Sequence, residues 1–297
     1  MIKVRVPATS ANMGPGFDSL GVAVERYNVY EFKETESGLS FKGIPDEFCN
    51  EENIIYKAMM KCFEKGNYKV KGLEINTITQ DVPISRGLGS SSACIVGGLV
   101  GANAIMGNKF SKDEILQMAV EIEGHPDNVA PAVLGGMVVA IMDNGNVHYE
   151  KVDVKDVVKF VPIIPDFRLS TSEARSVLPK EISMRDGVFN VSRSALMVAA
   201  MTSGNTKLLK YACQDKFHQN YRSKLIKGFD IVNKEAYDLG AVASYLSGAG
   251  PTIMAIIDKK TQNFGAKMKE FLDNNSLKWD VYELSIDKMG ATIIEGE

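Results

Sequence analysis

Pro83-Ile-Ser-Arg-Gly-Leu-Gly-Ser-Ser-Ser-Ala93 stands before a long run of small and apolar residues, and the rest of the chain is best read outward from it. Gly87 and Gly89 let the backbone turn tightly and approach a ligand closely. Ser90, Ser91 and Ser92 then open a helix, whose first turn exposes unpaired N–H groups and the positive end of the dipole. Amides and hydroxyls gathered at such an end make a site for phosphate oxygens. A serine hydroxyl there can also ligate Mg²⁺, which takes oxygen donors and keeps several waters. The same residues read equally well as a glycine turn whose serines only cap the helix. The loop is not a P-loop, for it holds no lysine and no GxxxxGK[ST] occurs in the chain. A third glycine is missing for a dinucleotide fingerprint, and Ala93 replaces the last glycine of a GxSxG elbow.

The flanking elements alternate between the two periods of regular structure. Residues 2–6, 27–35 and 72–79 alternate like strands, and 135–142 reads as a buried strand. Residues 53–64 place Ile54, Ile55, Ala58, Met59, Cys62 and Phe63 on one helical face. A helix from about Ser91 to Met106 follows the loop, and Ser111 with Glu114 forms a capping box for the next. The second half predicts a strand at 158–164 and helices at 187–203, 206–212 and 228–239. Strands at 242–246 and 252–257, a helix at 261–273 and a strand at 277–284 complete it. That order predicts an α+β layer with helices on one face of an antiparallel sheet. The expected division is 1–160 and 161–297.

At 297 residues, 45% hydrophobic and 24% charged, the composition is that of an ordinary globular protein with room for two modest domains. A net charge of −3 with scattered Lys and Arg supplies no basic stripe for nucleic acid. Cys49, Cys62, Cys94 and Cys213 form no CxxC pair, which argues against structural zinc and suits a reducing cytoplasm. The N-terminus lacks the apolar core of a signal peptide, and Ala93–Gly107 is too short and Gly-rich for a membrane span.

Three stretches in order carry a resemblance that covers nearly the whole chain. They are Pro7-Ala-Thr-Ser-Ala-Asn-Met-Gly-Pro-Gly-Phe-Asp18, the loop 83–93, and Ser247-Gly-Ala-Gly-Pro-Thr252. Together they resemble the three motifs of the GHMP kinases. TSANMGPGFDSLG (9–21), HPDNVAPAVLGG (125–136) and STSEARSVLP (170–179) are similar, more finely, to the homoserine kinase branch. The resemblance implies an N-terminal domain like ribosomal protein S5 domain 2 and a ferredoxin-like C-terminal domain, with ATP between them. It also implies a homodimer and L-homoserine as the small-molecule substrate.

Site residues follow from the same resemblance. Pro83, Ile84, Ser85, Arg86, Gly87, Leu88, Gly89, Ser90, Ser91, Ser92 and Ala93 would hold the phosphates. Ser91 and Glu121 would hold Mg²⁺, with Glu123, two residues along the helix, pointing elsewhere. Asn53 resembles an adenine-contacting position but reads as well as an N-cap for the following helix. Homoserine is a zwitterion, so its site needs an anion for the ammonium and a planar cation for the carboxylate. Arg175 and Arg222 match the family's carboxylate arginines, Asn12 and Asp18 the residues at the amino end, and Thr171 adds a hydroxyl. His125 and Asn128 fall beside the reacting hydroxyl, although HPDN also reads as a helix start with Pro126 at its first position. His148 and His218 have no comparable context. The resemblance implies direct attack on the γ-phosphate without a dedicated base, with Asp127 the residue to re-examine if a base exists. Two rivals remain open: another GHMP kinase, such as a mevalonate-type enzyme, and a non-catalytic binding protein of the same fold.

Overall fold

A computed structural model describes residues 1–294. The first half comprises β1 (Ile2–Ala11), β2 (Leu20–Glu34), β3 (Gly38–Lys42), α1 (Ile54–Lys65), β4 (Gly72–Gln80), α2 (Ser90–Ile105), α3 (Lys112–Glu123), α4 (Pro126–Leu134), β5 (Met137–Asp143) and β6 (Asn146–Val152). The second half comprises β7 (Val158–Ile164), α5 (Thr171–Ser176), α6 (Met184–Ser203), α7 (Leu209–Ala212), α8 (Gln219–Arg222), α9 (Phe229–Asp238), β8 (Ala241–Leu246), β9 (Ile253–Asp258), α10 (Phe264–Asn274), β10 (Asp280–Val281) and β11 (Thr292–Ile294).

Two sheets organise these elements. The first runs β11-β1-β2-β4-β3, with β5 on the far part of β2 and β6 beyond it. Only β3 and β4 are parallel in it. β1 and β2 pair along their lengths, and their register slips between Pro7 and Ala8, where proline has no N–H to give the ladder. The second sheet runs β10-β7-β9-β8 and is antiparallel throughout. The α+β arrangement expected from the sequence forms, but the helices do not keep to one face of the second sheet: α9 and α10 cover one face, and α6 and α7 pack into the core on the other.

Helix α2 is apolar on every side and is buried, with α1, α3, α4 and β1 around it. Small residues permit that crowding. A Cβ on Gly98 would stand 2.5 Å from the Ile55 carbonyl of α1, and one on Gly101 would stand 2.3 Å from the Phe32 ring. Across from it α1 buries Ile55, Ala58, Met59, Cys62 and Phe63, the stripe read from its spacing. α3 begins at the Ser111–Glu114 capping box, and α4 starts with His125 as N-cap and Pro126 in its first turn.

The second sheet is covered on both faces. Val161, Ile163, Leu246 and Ile253 meet Val232, Ala236, Phe264 and Met268 of α9 and α10. Phe160, Tyr245, Met254 and Ile256 share a separate core with Ala8, Val22 and Val24 of the first sheet. This second core binds the two sheets together and leaves the loops at one end to form a cleft.

Some elements differ from expectation. The strand expected over 277–284 is only Asp280–Val281. Beyond it the chain crosses between sheets through single bridges, Leu284 to Phe160 and Ile286 to Val24, so no ladder grows. Crossing complete, β11 pairs with β1 in the first sheet. Helix α6 starts three residues early, at Met184, because Ser183 caps it through Asp186 N. The pieces β3, β6, α5 and β11 have too little periodicity to be read from sequence. Among the described residues, no helix is long and apolar enough to cross a membrane.

Candidate active site

A cleft of about 470 Å³ opens between the two sheets. One wall is the loop 83–93, and its backbone is turned in a particular sense. The carbonyls of Ser85, Arg86, Gly87 and Leu88 all accept from protein donors: Leu169 N, Thr252, Ser247 Oγ and Thr9 N respectively. The amides of Gly87, Leu88 and Gly89 find no acceptor among the described residues. Gly87 and Gly89 are half-buried and line the cleft, and free amides there beside a helix N-terminus suit an anion.

The loop needs its glycines. Gly89 is the N-cap of α2 with φ +71°, and a Cβ there would stand 2.0 Å from Thr9 Oγ1. Thr9 Oγ1 in turn donates to Asn128 Oδ1 at 2.8 Å, which fixes that amide at the N-terminal turn of α4. Gly87 lies against the turn 247–250, whose Ser247 hydroxyl donates to Gly87 O at 2.6 Å. The Ser247–Thr252 turn thus braces the loop from beneath. Arg86 spends its guanidinium on Pro165 O and Asp166 O, tying the loop to the second half.

At the start of α2, Ser91 Oγ donates to Glu123 Oε2 at 2.9 Å and Ser92 Oγ to Glu123 Oε1 at 3.0 Å. Ser91 and Glu123 line the cleft. Glu121, expected at the metal, is placed otherwise: its carboxylate pairs with Lys61 at 2.8 Å and accepts from Gln117, away from the cleft. That correction has a simple cause. Residues two apart on a helix point to opposite sides, and α3 turns its Glu123 side toward α2. The Lys61 hydrogen bond, opposed by partial burial, holds the Glu121 carboxyl below its usual range.

Elsewhere in the cleft, charged side chains converge from three segments. Asp18, at φ +54°, forms a two-pronged pair with Arg175 at 2.7 and 3.1 Å. Asn12 Oδ1 accepts from Asp18 N and its Nδ2 donates to Gly248 O, holding the turn that presents Asp18. Arg222 is buried yet reaches the cleft, and burial, with Arg175 nearby, lowers its pKa to about 10. Both arginines lie over the Phe17 ring. Thr171, in the first turn of α5, lines the same cleft.

His125 and Asp127 meet at 2.7 Å between Nδ1 and Oδ1. Burial works against the imidazolium, but the Asp127 hydrogen bond and charge, with Glu123 and Asp18 beyond, prevail and raise the His125 pKa. Asp18, His125 and Asp127 are close enough to share an ion. Their atoms are already engaged, however, by Arg175 and by one another.

Of the other expected residues, Ile84, Ser85, Arg86, Gly87, Gly89 and Ser90 line the cleft, whereas Pro83, Leu88, Ser92 and Ala93 stand behind it. Asn53 lines it too, but its amide is consumed as the α1 N-cap: Oδ1 accepts from Ile55 N and Tyr56 N, and Nδ2 donates to Phe48 O. Around it Ile44, Phe48, Tyr30, Thr77, Gln80 and Cys94 form a half-apolar recess continuous with the loop. These come from β2, β4, α2 and a long connection, so no contiguous motif announces them.

A recess of this kind beside a lysine-free glycine-serine loop suits a nucleotide-dependent small-molecule kinase. Residues 53–136 match the model of the GHMP kinases N terminal domain, and 197–274 that of the GHMP kinases C terminal domain. The chain belongs to the GHMP kinases, and is therefore an ATP-using enzyme. It is 68% identical to the homoserine kinase of Clostridium beijerinckii over 296 residues, covering 100% of this chain and 99% of that protein. To the homoserine kinase of Clostridium botulinum strain Eklund 17B it is 61% identical, with both chains covered in full. The crystal structure of homoserine kinase from Cytophaga hutchinsonii superimposes with a TM-score of 0.88 at 32% identity, covering 99% of this chain and 97% of that one.

Proposed function

We propose that this chain transfers the γ-phosphoryl group of ATP to the side-chain hydroxyl of L-homoserine, giving O-phospho-L-homoserine. The carrying observation is the acceptor end of the cleft, where Asp18, Arg175 and Arg222 gather one carboxylate and two guanidinium groups. A zwitterion is the ligand that matches both signs: its ammonium meets Asp18 and its carboxylate the arginines. A mevalonate-type acceptor carries no amine to meet Asp18.

The phosphates lie against the free amides of Gly87–Gly89 and the first turn of α2, with the base in the recess around Tyr30 and Phe48. Mg²⁺ suits Ser91 Oγ and the Glu123 carboxylate, both hard oxygen donors. When bound it neutralises charge on the transferring group. Phosphoryl transfer passes through a loose transition state, so positioning and charge neutralisation do most of the work. Asn128, held by Thr9, and His125, held by Asp127, orient the hydroxyl for direct attack. Asp127 is buried and committed to His125, which leaves the attack without a dedicated base.

The assembly we favour is a homodimer, because Met184, Val188 and Val191 make an exposed apolar stripe on α6. Four free thiols suit a reducing compartment such as the cytoplasm. The purified chain should release ADP from ATP and Mg²⁺ with homoserine and far more slowly with mevalonate or a sugar. Equal rates across that panel would overturn the assignment.

A further inference from the structure

His218 lies entirely out of solvent, four residues before Arg222 and on the side of the cleft where the charged groups gather. Its two ring nitrogens have different partners. Nε2 is 2.8 Å from the carbonyl of Gly14, and Nδ1 is 3.4 Å from Nη1 of Arg222. A carbonyl can only accept and a guanidinium can only donate. Asp215 Oδ2 also stands 3.8 Å from Nε2, beyond hydrogen-bond reach, so the ring is neutral, with its proton on Nε2 toward Gly14, and Nδ1 carries a lone pair toward Arg222. Burial, the largest influence, holds the ring below its usual pKa and favours that form.

The groups His218 touches are those that shape the acceptor end. Gly14 sits in the turn between Asn12 and Asp18, and a Cβ there would meet the Cys213 carbonyl at 2.3 Å, so the turn is close-packed. Arg222 donates through Nε to Ala174 O, beside Arg175, and through Nη1 to Gly248 O, which Asn12 also engages. Asp215 secures the base of this hub: its carboxylate accepts from the amides of Phe217, His218 and Gln219 and from Asn190. Phe17 packs 5.4 Å from the imidazole and lies beneath both guanidinium groups.

We propose that His218 is a positioning residue for the acceptor: one imidazole sets the spacing between the Asp18 turn and the Arg222 guanidinium, and so between the anion and cation that grip the zwitterion. This rests on the reading of the cleft as an amino-acid site. His218 touches no reacting atom and acts through Arg222 and Gly14.

The two nitrogens can be removed one at a time. Asn places an amide oxygen near Nδ1, and Gln places an amide nitrogen near Nε2. His218→Gln keeps the Gly14 contact and loses the one to Arg222, and should raise KM for homoserine about tenfold, the scale of one hydrogen bond to a charged group. KM for ATP and kcat should stay within about twofold, since the phosphate loop has no contact with the hub's imidazole. In an Arg222→Lys background the same change should add less than about twofold, because the partner it acts through is altered. His218→Asn retains the acceptor for Arg222 and should fall between wild type and His218→Gln, which also serves if the Gln variant does not fold. Parallel losses in both substrates, or full multiplication of the two defects in the double variant, would overturn the positioning role. Absence of homoserine turnover in the wild type would instead overturn the substrate assignment.

Discussion

The two proposed subsites of the cleft are built by opposite strategies. The subsite proposed for the phosphates is made of main chain: consecutive residues whose carbonyls are tied back into the protein and whose amides are left free. The subsite proposed for the acceptor is made of side chains brought from the loop after β1, from α5 and from α8, each held by hydrogen bonds to its neighbours. A main-chain site tolerates changes in chemistry but not in backbone shape. The side-chain site tolerates small shifts in backbone but not loss of charge.

The comparison breaks most visibly at Gly89. Gly89→Ala places a Cβ against Thr9 on a backbone at φ +71° and should cut kcat/KM for ATP by about 100-fold or more, as expected when the reacting group is displaced by an ångström. A steady-state ATP titration reads it. Asp18→Asn should raise KM for homoserine about 30-fold with KM for ATP unchanged, because it leaves Arg175 facing a neutral amide. Initial rates with each substrate varied in turn separate the two. Glu123→Gln should lower activity about tenfold and raise the Mg²⁺ concentration needed for half-maximal rate, whereas Glu121→Gln should leave both within about twofold. Smallest of the set, Asn128→Ala should slow kcat severalfold, near the value of one hydrogen bond and far below the loss of a true base. Single-turnover rates test that last claim, and complete loss with substrate affinity intact would point back to Asp127.

The same contrast explains what could be read from the sequence. The phosphate end is contiguous, so PISRGLGSSSA announces itself as glycines followed by hydroxyls at the head of an apolar run. Capping is equally local, and Ser111 with Glu114 folds as its spacing says. Glu123 was not legible. Helical spacing separates Glu121 from Glu123 but cannot say which side α3 turns toward α2. That choice is made by tertiary packing, through Ile115, Met118 and Ala119. His218 had no motif of its own, and only the fold brings Gly14 and Arg222 to its two nitrogens. Asn53 is the converse case: a position matched by resemblance whose side chain is spent on capping α1.

β11 carries a consequence for the integrity of the molecule. It completes the outer edge of the first sheet beside β1 after the whole of the second sheet has intervened in the sequence. Asp287, just ahead of it, clasps Tyr27 Oη and the amides of Met289 and Gly290. A protease nick between the sheets therefore frees neither piece, since the tail still threads home to its neighbour. Residues 1–152 produced alone would expose β1 as a bare ladder, inviting strands from other molecules to fill the gap.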